Sequence, residues 1–539
     1  MTIAAIPVVT GLSCPMARFC LTLFATSRWR FPGLRRSTLP DAVILKRLAM
    51  DFLVFCISFL IKKDSNTTKS APAVKQKNRI FFGERAPRRG IREARCGEFA
   101  PQPPAPQKSV EAFPLFWQMS GMKKSSLAAF AAACATLLCS CGIIRETALK
   151  NDDAELWSFG QDLSFFSQYG VETLILSQGD SVVAVSPALQ ARVMTSSYGG
   201  SKGPSLGWIN RVQLAFKKLD ARKVQIGGED RFWVGPQGGD FSIFFEDGAL
   251  RSEENWKIPA FMSSEPWSLV GRNSHRAKFE KTAEFENAKG TKFRIKAERE
   301  ISVLNRKHVS DVLGIEIPES VDMVAFQSFN KLTNLGEKPW TPDGGMLNIS
   351  VQSCFNANRK TCAFVPYRPG DPSELGDIVR DNFFQTSGAG NSDGGLTVDP
   401  SFIKYRTDGK SLGAIGISAL RSEGIALGFD EANSVLTVII YIKPADRRAY
   451  LPSSWRRASG AFDGDAISVF NNGPAAGSNA PGDAYYEIST YSPALSLDAG
   501  KSQFHLQRTF HFHGSEYDLG LISYKLAGIS IGQLRGVGK

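Results

Sequence analysis

The chain has 539 residues, 64 Lys+Arg against 52 Asp+Glu, and a formal net charge of +12. Residues 1–121 hold 19 of the basic and 7 of the acidic residues, leaving 45 of each beyond, so the whole surplus sits in that first segment and does not point to a nucleic-acid partner. The apolar runs, Phe52–Ile61 and Leu127–Leu138, are shorter than the ~20 residues a membrane-spanning helix needs, which excludes such a helix.

In chain order, residues 1–121 are patternless, with Arg35-Arg36, Arg88-Arg89 and a PQPPAPQ stretch. Met122–Cys141, MKKSSLAAFAAACATLLCSC, then sets two lysines before an apolar run and a small-residue end, the order of a secretory signal. Its ending, Leu138-Cys139-Ser140-Cys141, resembles a bacterial lipobox, which implies that Cys141 is lipidated and becomes the mature N-terminus. A signal peptide works at an N-terminus. Translation is therefore expected to begin at Met122 (or Met119), with 1–121 a spurious upstream extension; the alternative is a genuine disordered basic leader. Gly142 after the lipidated cysteine resembles the sorting signal for the outer membrane, so the expected location is the cell envelope, with the membrane as a partner through the lipid. Residues 142–153 read as a tether and 154–539 as one domain.

Ala154–Tyr169 has apolar residues at helical spacing. TLILSQGDSVVAVS predicts a hairpin about Gly179-Asp180, and Arg192–Ser197 a third strand. A glycine-rich loop, YGGSKGPSLGWIN, follows, and then the loop Gly227–Gly239, GGEDRFWVGPQGG. Strands are expected at Phe241–Phe245, Trp267–Val270, Ala277–Phe285 and Lys292–Leu304. The last alternates Phe293, Ile295, Ala297, Ile301 and Val303 against Lys292, Arg294, Lys296, Glu298 and Glu300, the pattern of an antiparallel strand with one wet face. Further strands are expected at Met323–Leu332, Met346–Gln352, Cys362–Pro366, Leu412–Leu420, Ile425–Phe429, Ser434–Ile442, Tyr485–Thr490 and Phe504–Phe512. Pro369–Asp399 reads as a long loop and Tyr517–Leu526 as a closing helix. Many short strands, few helices and no βαβ alternation predict an all-β antiparallel sandwich or barrel. Cys354 and Cys362 flank FNANRKT, and either a disulfide or two buried free thiols fits them.

Tyr485–Phe512, YYEISTYSPALSLDAGKSQFHLQRTFHF, is similar to the closing strands of the galactose mutarotase (aldose 1-epimerase) superfamily, on Glu487, Ser492-Pro493, Ala494-Leu495, Ala499-Gly500-Lys501 and His505–Phe512. FGQDL, GPSLGWIN, GGEDRFW and RTFHF look like an uncharacterised family of exported bacterial proteins, with no implied activity. The superfamily resemblance implies a large antiparallel β-supersandwich with few short helices, a carbohydrate ligand and Glu487 as general base. The superfamily's acid is a histidine; the comparable stretch here is SVQSCFN, with Ser353 or Cys354 in its place. The acid would then fall to His505, His511 or Asp230.

Other candidates come from residue type. Glu229, Asp230, Arg231 and Trp233 combine planar hydrogen-bonding groups with an aromatic face, what a sugar site needs; a tight turn with a local salt bridge and a core tryptophan is the alternative. Period two puts His505, Gln507, Thr509, His511 and His513 on one face of the last strand and Arg508 among phenylalanines on the other. Arg508 needs a partner, either Glu487 in a structural pair or a ligand. Trp455, Asp465, Asn471 and Asn472 are cleft candidates, with turn chemistry as the alternative. His511 and His513 lack an obvious carboxylate companion and read as a surface or ligand-contacting pair, so neither a metal nor a cofactor is expected. Carbohydrate binding is the leading reading, ahead of a sugar-active epimerase or lyase and of an envelope scaffold without a small ligand.

Overall fold

The computed structural model describes residues 156–216, 225–383, 395–444, 449–455, 460–473 and 484–535. The segment 1–121, the signal 122–141 with Cys141, and the tether 142–153 lie outside these residues.

Ser158 caps helix α1 (Phe159–Gln168) in a reciprocal box with Gln161. The hairpin β1 (Leu174–Gln178) and β2 (Ser181–Ser186) turns at Gly179-Asp180, and β3 (Arg192–Ser197) completes a three-stranded sheet. Next come α2 (Arg211–Phe216), β4 (Arg231–Gly235), β5 (Ser268–Arg272), β6 (Arg276–Glu286), β7 (Lys292–Val303), α3 (Arg306–Leu313), β8 (Asp322–Asn334) and β9 (Asn348–Asn356). They are followed by β10 (Thr361–Pro366), α4 (Pro372–Leu375), β11 (Leu396–Val398), β12 (Phe402–Arg406), β13 (Gly413–Ile417), β14 (Ile425–Asp430) and β15 (Val435–Tyr441). The chain closes with β16 (Ile467–Asn472), β17 (Tyr485–Tyr491), β18 (Ser502–His513), α5 (Glu516–Ala527) and α6 (Ile531–Arg535).

A ten-stranded sheet runs β11-β12-β10-β14-β15-β18-β8-β7-β6-β5, and a five-stranded sheet runs β13-β16-β17-β9-β4. Every strand pair is antiparallel, so the all-β antiparallel class and the scarcity of helix expected from alternation are what the chain has. The inner face of the five-stranded sheet (Phe355, Val469, Tyr486, Ile488) packs on Val365, Ile403, Ala426 and Ile439 of the larger sheet. Helices α3, α5 and α6 cover Phe510, Phe512, Leu436 and Val438 on the far side. Around β5–β8 the larger sheet instead meets the three-stranded sheet and β4 through Val183, Val193, Phe232 and Ile301.

Three expectations change. Phe241–Phe245 is not a strand: its backbone bonds to Pro236 and Lys257 rather than to a ladder, and Phe244 stacks on Trp233. Part of the expected loop Gly227–Gly239 is strand β4, and β12, β16 and α3 went unforeseen. Pro369–Asp399 contains α4 and β11, with 384–394 outside the described residues. Of the two readings of Cys354 and Cys362, the structure has the buried free thiols. FNANRKT carries the chain from β9 in one sheet to β10 in the other.

Candidate functional site

Alternation divides the five-stranded sheet into an apolar inner face and a polar outer face. On β9, Asn348, Ser350, Gln352 and Cys354 point outward, while Ile349, Val351 and Phe355 point into the sandwich. Register then aligns side chains across strands. Arg231, Gln352, Ser489, Ser468 and Gly416 form one row across β4, β9, β17, β16 and β13. On one side of it lies the row Cys354, Glu487, Phe470 and Ala414; on the other lie Trp233, Ser350 and Tyr491.

Glu487 is half-buried and held from three sides. Ser489 Oγ donates to Oε1 at 2.6 Å, Gln225 Nε2 donates to Oε2 at 3.1 Å, and Cys354 Sγ lies 3.6 Å from Oε2. The Gln225 oxygen accepts from Arg231 Nη1, so this amide bridges the cation and the carboxylate. Burial pulls the Arg231 guanidinium down to about 10, with Glu487 opposing that fall. Burial also pushes the Cys354 thiol well up, and Glu487 adds to the rise. Arg231 lies 3.8 Å from the centroid of Trp233, whose ring also stacks on Phe244. The row ends under Asp465, whose carboxylate takes the space a side chain at Gly416 would fill and accepts from Arg380 Nη1 at 3.0 Å and from Ser453.

Among the described residues, three donors on this face have no partner: Arg231 Nε, Trp233 Nε1 and Ser350 Oγ. Their residues are 4%, 2% and 1% exposed. Trp233 and Ser350 are direct cross-strand neighbours, and Arg231 is two residues along the same strand.

The predicted acids are elsewhere. His511 is fully buried on the inner face, between Thr437 Oγ1 at 2.9 Å and Glu229 Oε2 at 3.2 Å, and Ser196 donates to Glu229 through both its N–H and its hydroxyl. Asp230 is an interior anion, paired with Arg299 and accepting from Ser328 Oγ at 2.7 Å. His505 is buried against Thr490, 2.8 Å away, and burial depresses it to about 3. All three lie on the inner side, while Glu487 points outward, because the polar face of β18 turns into the sandwich. Glu229 and Asp230, expected at the ligand, therefore point into the sandwich away from Glu487, while Arg231 and Trp233 reach the outer face. Gly227 and Gly228 (φ +88° and +106°) make this turn possible: side chains there would strike Trp208 and Arg192.

Arg508 bonds Gln327 Oε1 at 3.2 Å on the far side of the larger sheet and meets neither Glu487 nor the site. His513 stacks on Tyr198 and reaches Asp322, 3.3 Å away. Asn471 holds the turn at Gly409. Trp455 packs edge-on against Phe245, and Asn472 stands opposite Tyr485. Of the two residues at the expected histidine position, Ser353 points inward to Gln507, and Cys354 faces Glu487. Gln225, Ser350, Gln352, Ser489 and Arg380 were not foreseen. Ser350 and Gln352 had one signal, the polar alternation of NISVQSC on a strand buried on both faces. Among the described residues, no group of three or more His, Cys, Asp or Glu is placed to hold a metal, and no helix is long and apolar enough to cross a membrane.

A family model described as a family of unknown function, DUF6786, matches residues 157–537. No curated protein matches the chain. Solved structures similar to it include a galactose mutarotase-like protein from Lactobacillus casei (10% identity, TM-score 0.37, 64% of this chain and 100% of that one). A galactose mutarotase related enzyme from Lactobacillus acidophilus is another (10% identity, TM-score 0.36, 64% of this chain and 98% of that one).

Proposed function

The chain belongs to the DUF6786 family of unknown function, and we propose that it binds carbohydrate on the outer face of its five-stranded sheet. The observation that carries this is the set of buried, unpartnered donors Arg231 Nε, Trp233 Nε1 and Ser350 Oγ beside Glu487. Leaving a buried polar group unsatisfied costs about 1–3 kcal/mol, and such groups call for an explanation in a native chain. A polyol supplies acceptors for these donors and hydroxyl protons for Glu487. Trp233 takes part through its Nε1 rather than by stacking, since Arg231 and Phe244 lie against its ring.

Ligand-observed NMR of the full chain with common mono- and oligosaccharides tests this. Binding is expected for the wild type and at least about tenfold weaker for Arg231→Met, the scale of a lost charged hydrogen bond. No binding to any sugar, or binding unchanged by the substitution in a folded variant, would overturn it.

A second reading has Glu487 as a general base in anomer exchange, favoured by its half-buried carboxylate and the Cys354 thiol against Oε2. The same spectra report exchange. Glu487→Gln is expected to abolish any acceleration while sparing binding; full exchange in that variant sinks the enzymatic reading.

The lipobox reading adds a location. In a bacterial host fed radiolabelled palmitate, the chain is expected to take up label and Cys141→Ala to lose it completely. Label retained in the variant overturns lipidation at Cys141.

A further inference from the structure

A cavity of about 570 Å³ lies along β6, lined by Thr282–Asn287 on one side and by residues of the 243–247 and 255–261 segments on the other. Strand β5 pairs with β6 only through Ala277–Glu280, whereas β6 continues to Glu286 with β7 on its other side. Among the described residues, the backbone of 281–286 makes no hydrogen bond on the side that β5 has left. Here the unpaired edge borders the cavity, and such an edge is a template for an added strand.

The lining says what kind of strand. Phe244, Phe261 and Phe285 supply an aromatic wall, with Phe261 stacked on Phe285 at 5.2 Å. Five carboxylates, Glu246, Asp247, Glu265, Glu284 and Glu286, line the cavity against one cation, Lys257. Lys257, Lys281 and Arg294 pair with Glu246, Glu265 and Glu284, while Asp247 and Glu286 have no ion-pair partner among the described residues. A second copy of this acidic edge would be repelled. We infer that the cavity beside 281–286 receives an extended, basic peptide segment of a partner protein as an added strand. Its main chain pairs with the free edge, one side-chain set meets the phenylalanines, and the alternate set meets the carboxylates. Six residues of edge accommodate about 20 Å of strand. This surface borders the Glu487 face at Phe244, which lines the cavity and stacks on Trp233.

Fluorescence anisotropy of the full chain with a labelled Lys-Val-Lys-Val-Lys-Val peptide tests the inference. Three controls are expected to bind at least about tenfold more weakly: the Glu-Val counterpart, a peptide N-methylated at alternate residues, and the Glu284→Lys/Glu286→Lys variant with the original peptide. Both substituted positions are exposed, so the variant is expected to fold. Equal affinity for the Glu-Val peptide removes the charge argument, and equal affinity for the N-methylated peptide removes strand addition; either result overturns the proposal, as does no binding of the Lys-Val peptide.

Discussion

Asp230→Ala is expected to destabilise the chain by about 3–5 kcal/mol, the cost of leaving a buried charge without its partner. Asp230 and Arg299 are both fully buried. Burial pushes the Asp230 carboxyl up despite Arg299 beside it, and pulls the Arg299 guanidinium down. The pair thus sits where desolvation dominates, and Arg299 already has Nε and Nη1 unpartnered. Its position raises the stakes. The Asp230 backbone bridges to Val193 on β3 and opens β4, while Arg299 and Ser328 come from β7 and β8. Through its backbone and its carboxylate, this one residue therefore links the three-stranded and ten-stranded sheets at the start of β4. Urea unfolding measures the effect. The double variant Asp230→Ala/Arg299→Met should recover most of the loss, since removing both charges removes the desolvation cost. A single variant as stable as wild type, or a double variant no better than the single, would contradict this account.

Acid lability centred on His505 is the second large effect. Its folded-state pKa, about 3, lies below the ordinary histidine value of 6.5, with burial as the cause. Between those values the unfolded chain binds a proton that the folded chain refuses. Stability from this group is therefore fully present above pH 6.5 and is lost as pH falls toward 3, with an upper bound of about 5 kcal/mol. The local bonds explain why the ring stays neutral. The Thr490 hydroxyl donates its one proton to Gln507 Oε1 at 2.7 Å, so His505 Nε2 carries the proton that Thr490 Oγ1 accepts. Tyr441 packs against the imidazole, and no carboxylate is bonded to it among the described residues. His505→Gln keeps a donor but cannot titrate. Urea unfolding at pH 7, 6, 5 and 4 should show wild type losing stability more steeply than the variant below pH 6.5. Parallel curves would exclude His505 as the source.

Much of the sandwich was legible. Period-two alternation found β7 to within a residue at either end, because its outer face meets water and its inner face meets the core. The exception on that strand was informative: Arg299 interrupts the apolar face between Ala297 and Ile301, a sign that a buried anion had to exist. Alternation failed for β4, where GGEDRFWVGPQGG has the composition of a turn. There, neighbouring residues have opposite fates: Asp230 turns inward to Arg299, and Arg231 turns outward to Gln225 and Glu487.

By itself the sequence determined the all-β class and most strand positions, because backbone alternation and turn chemistry are local; Glu487 was named only through the superfamily resemblance. Only the tertiary structure decided which face of each strand is inside. The last strand shows why. Its period separates the histidines from the phenylalanines equally well whichever side meets the core, yet helices α3, α5 and α6 cover the phenylalanine face, and this sends His505 and His511 between the sheets. The outer-face row likewise exists only through register, since Arg231, Gln352, Ser468 and Ser489 lie far apart in the chain and meet across four antiparallel strands.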